Sequence, residues 1–158
     1  MKIGVLADTH ISIISPELER ILLKQLSGVD AVFHAGDVVE MKVLDIFASY
    51  KLYVVSGNMD SLEIRERNPR KRVITVGGFK IGMIHGWGSP TGIEERIRGE
   101  FENVDCIVYG HTHNPSNRLM GRTLFFNPGS PTDKRFTKAN SLGILEINDT
   151  ISGKIIYL

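Results

Sequence analysis

Through the first half of the chain, short apolar runs alternate with stretches of helical period. Residues 2–7 are apolar over the length of one buried strand and end at Asp8 and His10. Ser15 and Pro16 then offer an N-cap and a first-turn proline, and Leu18, Ile21, Leu22, Gln25 and Leu26 recur on one helical face until Gly28. Residues 31–33 read as a second strand, 43–49 as a helix with Val43, Leu44 and Phe47 on one side, and 52–55 as a third strand. This order of elements is that of βαβ units around a largely parallel sheet. Residues 61–72 break the pattern. They are crowded with charge and contain Pro69, so they are expected to be a solvated connector without chemistry. Beyond them, 73–76 and 79–84 flank Gly77-Gly78, the signature of a hairpin. A helix is expected near 92–101 and strands at 106–109, 123–126, 141–147 and 154–158, the last two joined through Asn148-Asp149-Thr150. The fold class these elements predict is α/β, a layered sandwich of two mixed β-sheets flanked by helices.

Composition narrows this. At 158 residues with 42% hydrophobic, the chain is long enough to close one core, so a single domain over 1–158 is expected and disorder is excluded as its main state. Nineteen Lys and Arg against eighteen Asp and Glu leave a formal net charge of +1, too little to steer nucleic acid or an acidic partner from a distance. A charged ligand must therefore be caught locally. The single cysteine, Cys106, excludes an intramolecular disulfide and a thiolate zinc site and fits a reducing, cytoplasmic location. No apolar run reaches the length of a membrane span, and the first strand is too short for the core of a signal peptide.

Sixteen glycines exceed the background of about 7%, and many sit where predicted strands end. Five polar clusters occupy those ends: Asp8-Thr9-His10, Gly36-Asp37, Gly57-Asn58-Met59-Asp60, His85-Gly86 and Gly110-His111-Thr112-His113. Open α/β sheets build ligand sites there, and glycine lets the backbone turn sharply and pass close to a ligand. Carboxylate, imidazole and amide oxygen without thiolate suit divalent manganese, iron, nickel or zinc better than calcium. Any one such Asp or His is more often an ordinary turn or core residue, whereas their recurrence at successive strand ends points to a metal centre.

The ordered set Asp-x-His, Gly-Asp, Gly-Asn, a lone His and Gly-His-x-His resembles the calcineurin-like metallophosphoesterase superfamily over nearly the whole chain. The small size and Asn127-Pro128-Gly129-Ser130 are most similar to its compact bacterial and archaeal phosphodiesterases. The resemblance implies a dinuclear site: Asp8, His10, Asp37 and His113 for one divalent ion, and Asp37, Asn58, His85 and His111 for the other, with Asp37 bridging. Manganese is the foremost expectation. It also implies in-line attack on a small phosphate diester by a metal-bridging hydroxide, with Asp37, Asn58 and His111 carrying catalysis.

Several neighbours have expected roles of their own. Trp87 and Asn127 are expected to meet substrate, His34 to pack or hydrogen-bond behind a ligand, and Asp60 to orient one. Met59 stands where many metallophosphatases place a histidine proposed to protonate the leaving group, which a thioether cannot do. The alternatives are a phosphomonoesterase using the same site and a protein-binding scaffold like the retromer subunit of this fold. Nucleic acid is expected only as a substrate and a membrane not at all; self-association is left open.

Overall fold

Alternation along the first strand sets the layers. In β1 (Lys2–Leu6) the side chains of Ile3 and Val5 enter the core between two sheets, while Leu6 points to the opposite face and packs beneath a helix. In the computed structural model, which describes residues 1–158, β1 is the central strand of the first sheet. Beside it lie β2 (Ala31–His34) and β3 (Lys51–Val54), both parallel. On its other edge β9 (Ser141–Ile147) is antiparallel and pairs in turn with β10 (Ile151–Tyr157).

The second sheet places β4 (Lys71–Val76), β5 (Phe79–Ile84), β6 (Cys106–Val108), β8 (Thr123–Asn127) and β7 (Ser116–Met120) side by side in that order. The strands β5, β6 and β8 run parallel, and β4 and β7 close the edges antiparallel. Between the sheets lies a sixteen-residue core that includes Phe33, Met83 and Phe126. Each such side chain, removed from water, stabilises the fold by roughly 1.5–3 kcal/mol. Cys106 is buried in the same core, free, and burial pushes its thiol pKa up.

Helices cover the outer faces. In α1 (Pro16–Gln25) the Ser15 hydroxyl accepts the Leu18 N–H at 3.2 Å, and Glu17 and Glu19 in the first turn and Lys24 in the last match the helix dipole. Leu22 and Leu26 seal it to the first sheet together with a 3₁₀ helix, Met41–Phe47, whose Val43, Leu44 and Phe47 are buried. The expected helix over 43–49 is thus one of tighter winding. On the second sheet α3 (Ile93–Arg98) inserts Ile93 and Ile97 against Ile84, Ile107 and Phe125. The hairpin forms as read, with Gly77 and Gly78 both at positive φ between β4 and β5.

Two expectations need correcting. Residues 61–72 are not a solvated connector: α2 (Leu62–Arg67) folds there, with Ile64 fully buried under the first sheet. One apolar anchor among charges escapes any periodicity over so short a helix. β7 was not anticipated either, because Ser116-Asn117-Arg118 is polar and its order comes from pairing with β8. No helix is long and apolar enough to cross a membrane.

Candidate metal centre

The five polar clusters converge. Asp8 follows β1, Asp37 follows β2, Asn58 follows β3, His85 follows β5, and His111 and His113 follow β6, so both sheets deliver ligands to one end of the sandwich. The backbone gives a further sign. Asp8, His10, Asp37, His111 and His113 all have φ between 46° and 69°, a left-handed conformation that costs a non-glycine residue about 1–2 kcal/mol. Five of the seven non-glycine residues at positive φ are candidate ligands, more than ordinary turns would collect. Cross-links hold the strained loops: Asp8 N–H donates to Gly36 O at 3.0 Å, His10 N–H to Asp37 O at 3.1 Å, and His111 N–H to Asp8 Oδ1 at 3.1 Å.

Within the cluster, His10 Nε2 and His113 Nε2 are 3.0 Å apart, and His113 Nε2 lies 3.4 Å from Asp8 Oδ1. Asp37 Oδ2 lies 3.6 Å from His10 Nε2 and 3.2 Å from His85 Nε2. Asp37 therefore reaches both halves, but so does Asp8, whose Oδ1 is 3.7 Å from His10 Nε2 and 3.9 Å from His85 Nε2. Asp8, His10 and His113 form one candidate metal group and Asp8, Asp37 and His85 another. Buried Asp8 Oδ2 lacks a hydrogen-bond partner and His85 Nε2 faces only the Asp37 and Asp8 carboxylates, which fits residues arranged to hold a cation. Asn58 and His111 stand at the rim, with Asn58 Oδ1 3.2 Å from His111 Nδ1. His111 Nε2 donates to Gly88 O at 2.8 Å, which leaves Nδ1 for a metal.

Electrostatics follow from burial and these contacts. Burial alone would lower the His85 pKa, but the adjoining Asp37 and Asp8 carboxylates outweigh it and raise it to about 9 in the protein alone. Burial likewise opposes ionisation of Asp37, and His85 with the Met59 N–H more than offsets it and lowers the Asp37 pKa. The His113 pKa is lowered, chiefly by burial. Donation from His85 Nδ1 to Ala35 O at 2.8 Å leaves Nε2 for a metal.

The supporting shell differs from expectation in places. Asp60 does orient a ligand loop: Oδ2 accepts from Gly57 N–H at 2.7 Å and Asp37 N–H at 3.2 Å, and Oδ1 from Val39 N–H at 2.8 Å. Gly57 is needed beneath it, because a Cβ at that position would overlap the Asp37 carboxylate. His34 is buried behind the cluster with Nε2 2.6 Å from Thr9 Oγ1. Asn127, expected to meet substrate, is fully buried instead. Its Nδ2 donates to Gly110 O and Thr112 Oγ1 and its Oδ1 accepts from Gly129 N–H, so it braces the loop that carries His111 and His113. The turn that follows Asn127 also faces inward, with Ser130 Oγ donating to Asp8 O at 2.6 Å. Trp87 remains 38% exposed at the mouth of the site.

Asp133 was missed. Its Oδ2 lies 3.2 Å from His113 Nδ1, and hydrogen bonds from Arg135 hold its pKa down to about 2, so a permanent carboxylate favours the tautomer that frees His113 Nε2. The loop around it is an ordinary polar sequence, and only folding brings it across to β6.

Fold and strand-end candidate ligands together are those of the metallophosphoesterase class. Residues 1–150 match the calcineurin-like phosphoesterase superfamily domain, and the chain belongs to that superfamily. It is 35% identical to a probable metallophosphoesterase of Methanocaldococcus jannaschii over 99% of this chain and 81% of that protein. Among solved structures, an archaeal phosphodiesterase matches with TM-score 0.76 and 25% identity over 100% of both chains. Vps29 of Entamoeba histolytica, complexed with Zn²⁺, matches with TM-score 0.76 and 25% identity over 99% of both.

Proposed function

We propose that the protein hydrolyses phosphate diesters with two divalent cations, manganese foremost and nickel, iron(II) or zinc as the other ions this donor set accepts. Asp8, His10 and His113 would hold one ion, and Asn58, His85 and His111 the other, with Asp37 and Asp8 shared. The observation that carries the reading is the convergence of two buried carboxylates with His10, His85 and His113, with Asp8 Oδ2 unpartnered among them. Divalent cations bound there supply phosphoryl charge neutralisation and acidify water, the chemistry of in-line phosphoryl hydrolysis.

The chain's own groups do the rest. Ala35 O and the Asp133 carboxylate fix the imidazoles of His85 and His113, and Asp60 holds the Asp37 loop. Two carboxylates against two divalent charges leave a positive centre, which attracts an anionic phosphate although the whole chain carries only +1. A singly charged diester suits such a centre, because the ground state is held less tightly than that of a doubly charged monoester. Met59 is 58% exposed at the site and offers no proton, so esters of acidic alcohols are the fast substrates.

The test is turnover of bis-nitrophenyl phosphate and nitrophenyl phosphate with bound metal measured on the same sample. Faster metal-dependent diester hydrolysis, abolished by chelation, is expected. A faster monoester would replace the reading by a phosphomonoesterase. Loaded protein inactive on both would replace it by the scaffold role.

A further inference from the structure

A cleft of about 590 Å³ opens beside the metal centre on the side of α2 and β4. It shares Asn58 and His85 with the centre and is lined by Arg65, Arg70 and Lys71, with Trp87 at its edge. Lys71 is spoken for, its Nζ 2.8 Å from Glu100 Oε2. Arg65 is held in place by neutral acceptors, its Nε donating to Asp60 O at 2.7 Å and its Nη2 to Asn58 O at 3.2 Å, so its charge is uncompensated. Arg70 is exposed and makes no ion pair. Three cations against the single Glu100 carboxylate give this cleft a positive excess.

Across the Asn58–His111 contact a second cleft, of about 870 Å³, has the opposite character. Glu94 and Glu95 line it with Arg118 its one cation, and Arg118 is already paired to Glu94 at 3.2 Å. The formal charge of the lining side chains therefore differs in sign between the two clefts. A phosphate diester has two arms, and the two clefts give each arm a different environment. A phosphate satisfies the free guanidinium charges of Arg65 and Arg70, since the guanidinium fork matches its oxygens in pairs.

Building on the phosphodiesterase reading, we infer that the arm entering the Arg65–Arg70–Lys71 cleft carries a second phosphate group, so that the substrate class is diesters of a phosphorylated alcohol. The volume suits a nucleotide-sized or smaller arm, and Trp87 provides a face on which a base can stack.

The experiment uses manganese-loaded protein and two nitrophenyl phosphate diesters of thymidine that differ only in whether the remaining hydroxyl is phosphorylated. A matching pair is built on glycerol. The phosphorylated member is expected to have kcat/KM higher by about tenfold, the worth of one charge-assisted hydrogen bond. R70Q should remove most of that preference, and R70K should restore part of it. Preference in both pairs assigns the effect to the phosphate alone, and preference in the thymidine pair only adds stacking on Trp87 to it. Equal kcat/KM within each pair, or an R70Q loss of equal size on both members, overturns the inference.

Trp87 is the single tryptophan of the chain, which supplies a readout free of turnover. Thymidine bisphosphate titrated into chelator-treated protein should change its fluorescence saturably, at concentrations about tenfold lower than for R70Q. Thymidine alone should not. An identical response of parent and R70Q overturns the cleft assignment. Absence of hydrolysis of all four diesters counts against the phosphodiesterase reading, while the fluorescence titration still decides the cleft.

Discussion

Asp60 shows how one carboxylate serves a centre it does not enter. It is 1% exposed and accepts N–H groups from Asp37, Gly57 and Val39, the last a β-branched residue at φ 84°. D60A should destabilise the chelated protein by about 3 kcal/mol in urea unfolding, because it strands buried donors, and D60N should recover part of that. A D60A protein as stable as its parent would remove Asp60 from this role. His34 gives a pH signature. Burial, against the pull of Asp60 and Asp8, lowers its pKa from 6.5 to about 4, so the folded imidazole is neutral while the unfolded chain takes up a proton from pH 6.5 downward. Its contribution is complete above pH 6.5 and is lost as pH falls toward 4, by up to roughly 3 kcal/mol. The parent should lose more stability than H34Q between those values in metal-free unfolding; parallel profiles would contradict it. Met59 belongs to the chemistry. M59H should speed esters of poor leaving groups by up to roughly a hundredfold and leave nitrophenyl esters nearly unchanged, read as a shallower slope of log kcat against leaving-group pKa.

At the scale of elements, α2 links packing to the site. Ile64 anchors it in the core, and the next residue, Arg65, grips the carbonyls of Asn58 and Asp60. I64A should cost about 2–4 kcal/mol in thermal or urea unfolding and also weaken metal binding, since Asn58 loses its tether. Unchanged metal affinity in the folded variant would show α2 to be packing only. The legibility of elements follows the same physics. β1, β9 and the Gly77–Gly78 hairpin could be read because apolar runs and turn chemistry are local properties of the chain. α2 and β7 could not. One is short with a single buried residue, Ile64, and the other is a polar edge strand, so each is specified by its neighbours in space.

For the whole molecule, the proposed metal binding couples to the fold, because the candidate ligands hang from both sheets and only the native state presents them together. A cation at a hundred times its Kd stabilises by about 2.7 kcal/mol per site, so chelation should lower Tm by roughly 5–10 °C for each site emptied. Calorimetry with and without chelator checks this, and an unmoved Tm would separate the centre from stability. Metal occupancy and activity should fall together in acid, where protons compete for imidazole and carboxylate. The candidate ligands at the strand ends, from Asp8 to His113, were legible because residue chemistry and strand-end position are written in chain order. How they group in space was not. Asp8 touching both halves, Asp133 beside His113, and the turning inward of Asn127 depend on contacts such as His10 with His113, 103 residues apart in sequence. Only the packing of two sheets face to face closes such distances, and it also decides which charges, those of Arg65 and Arg70, are left beside the centre without a partner.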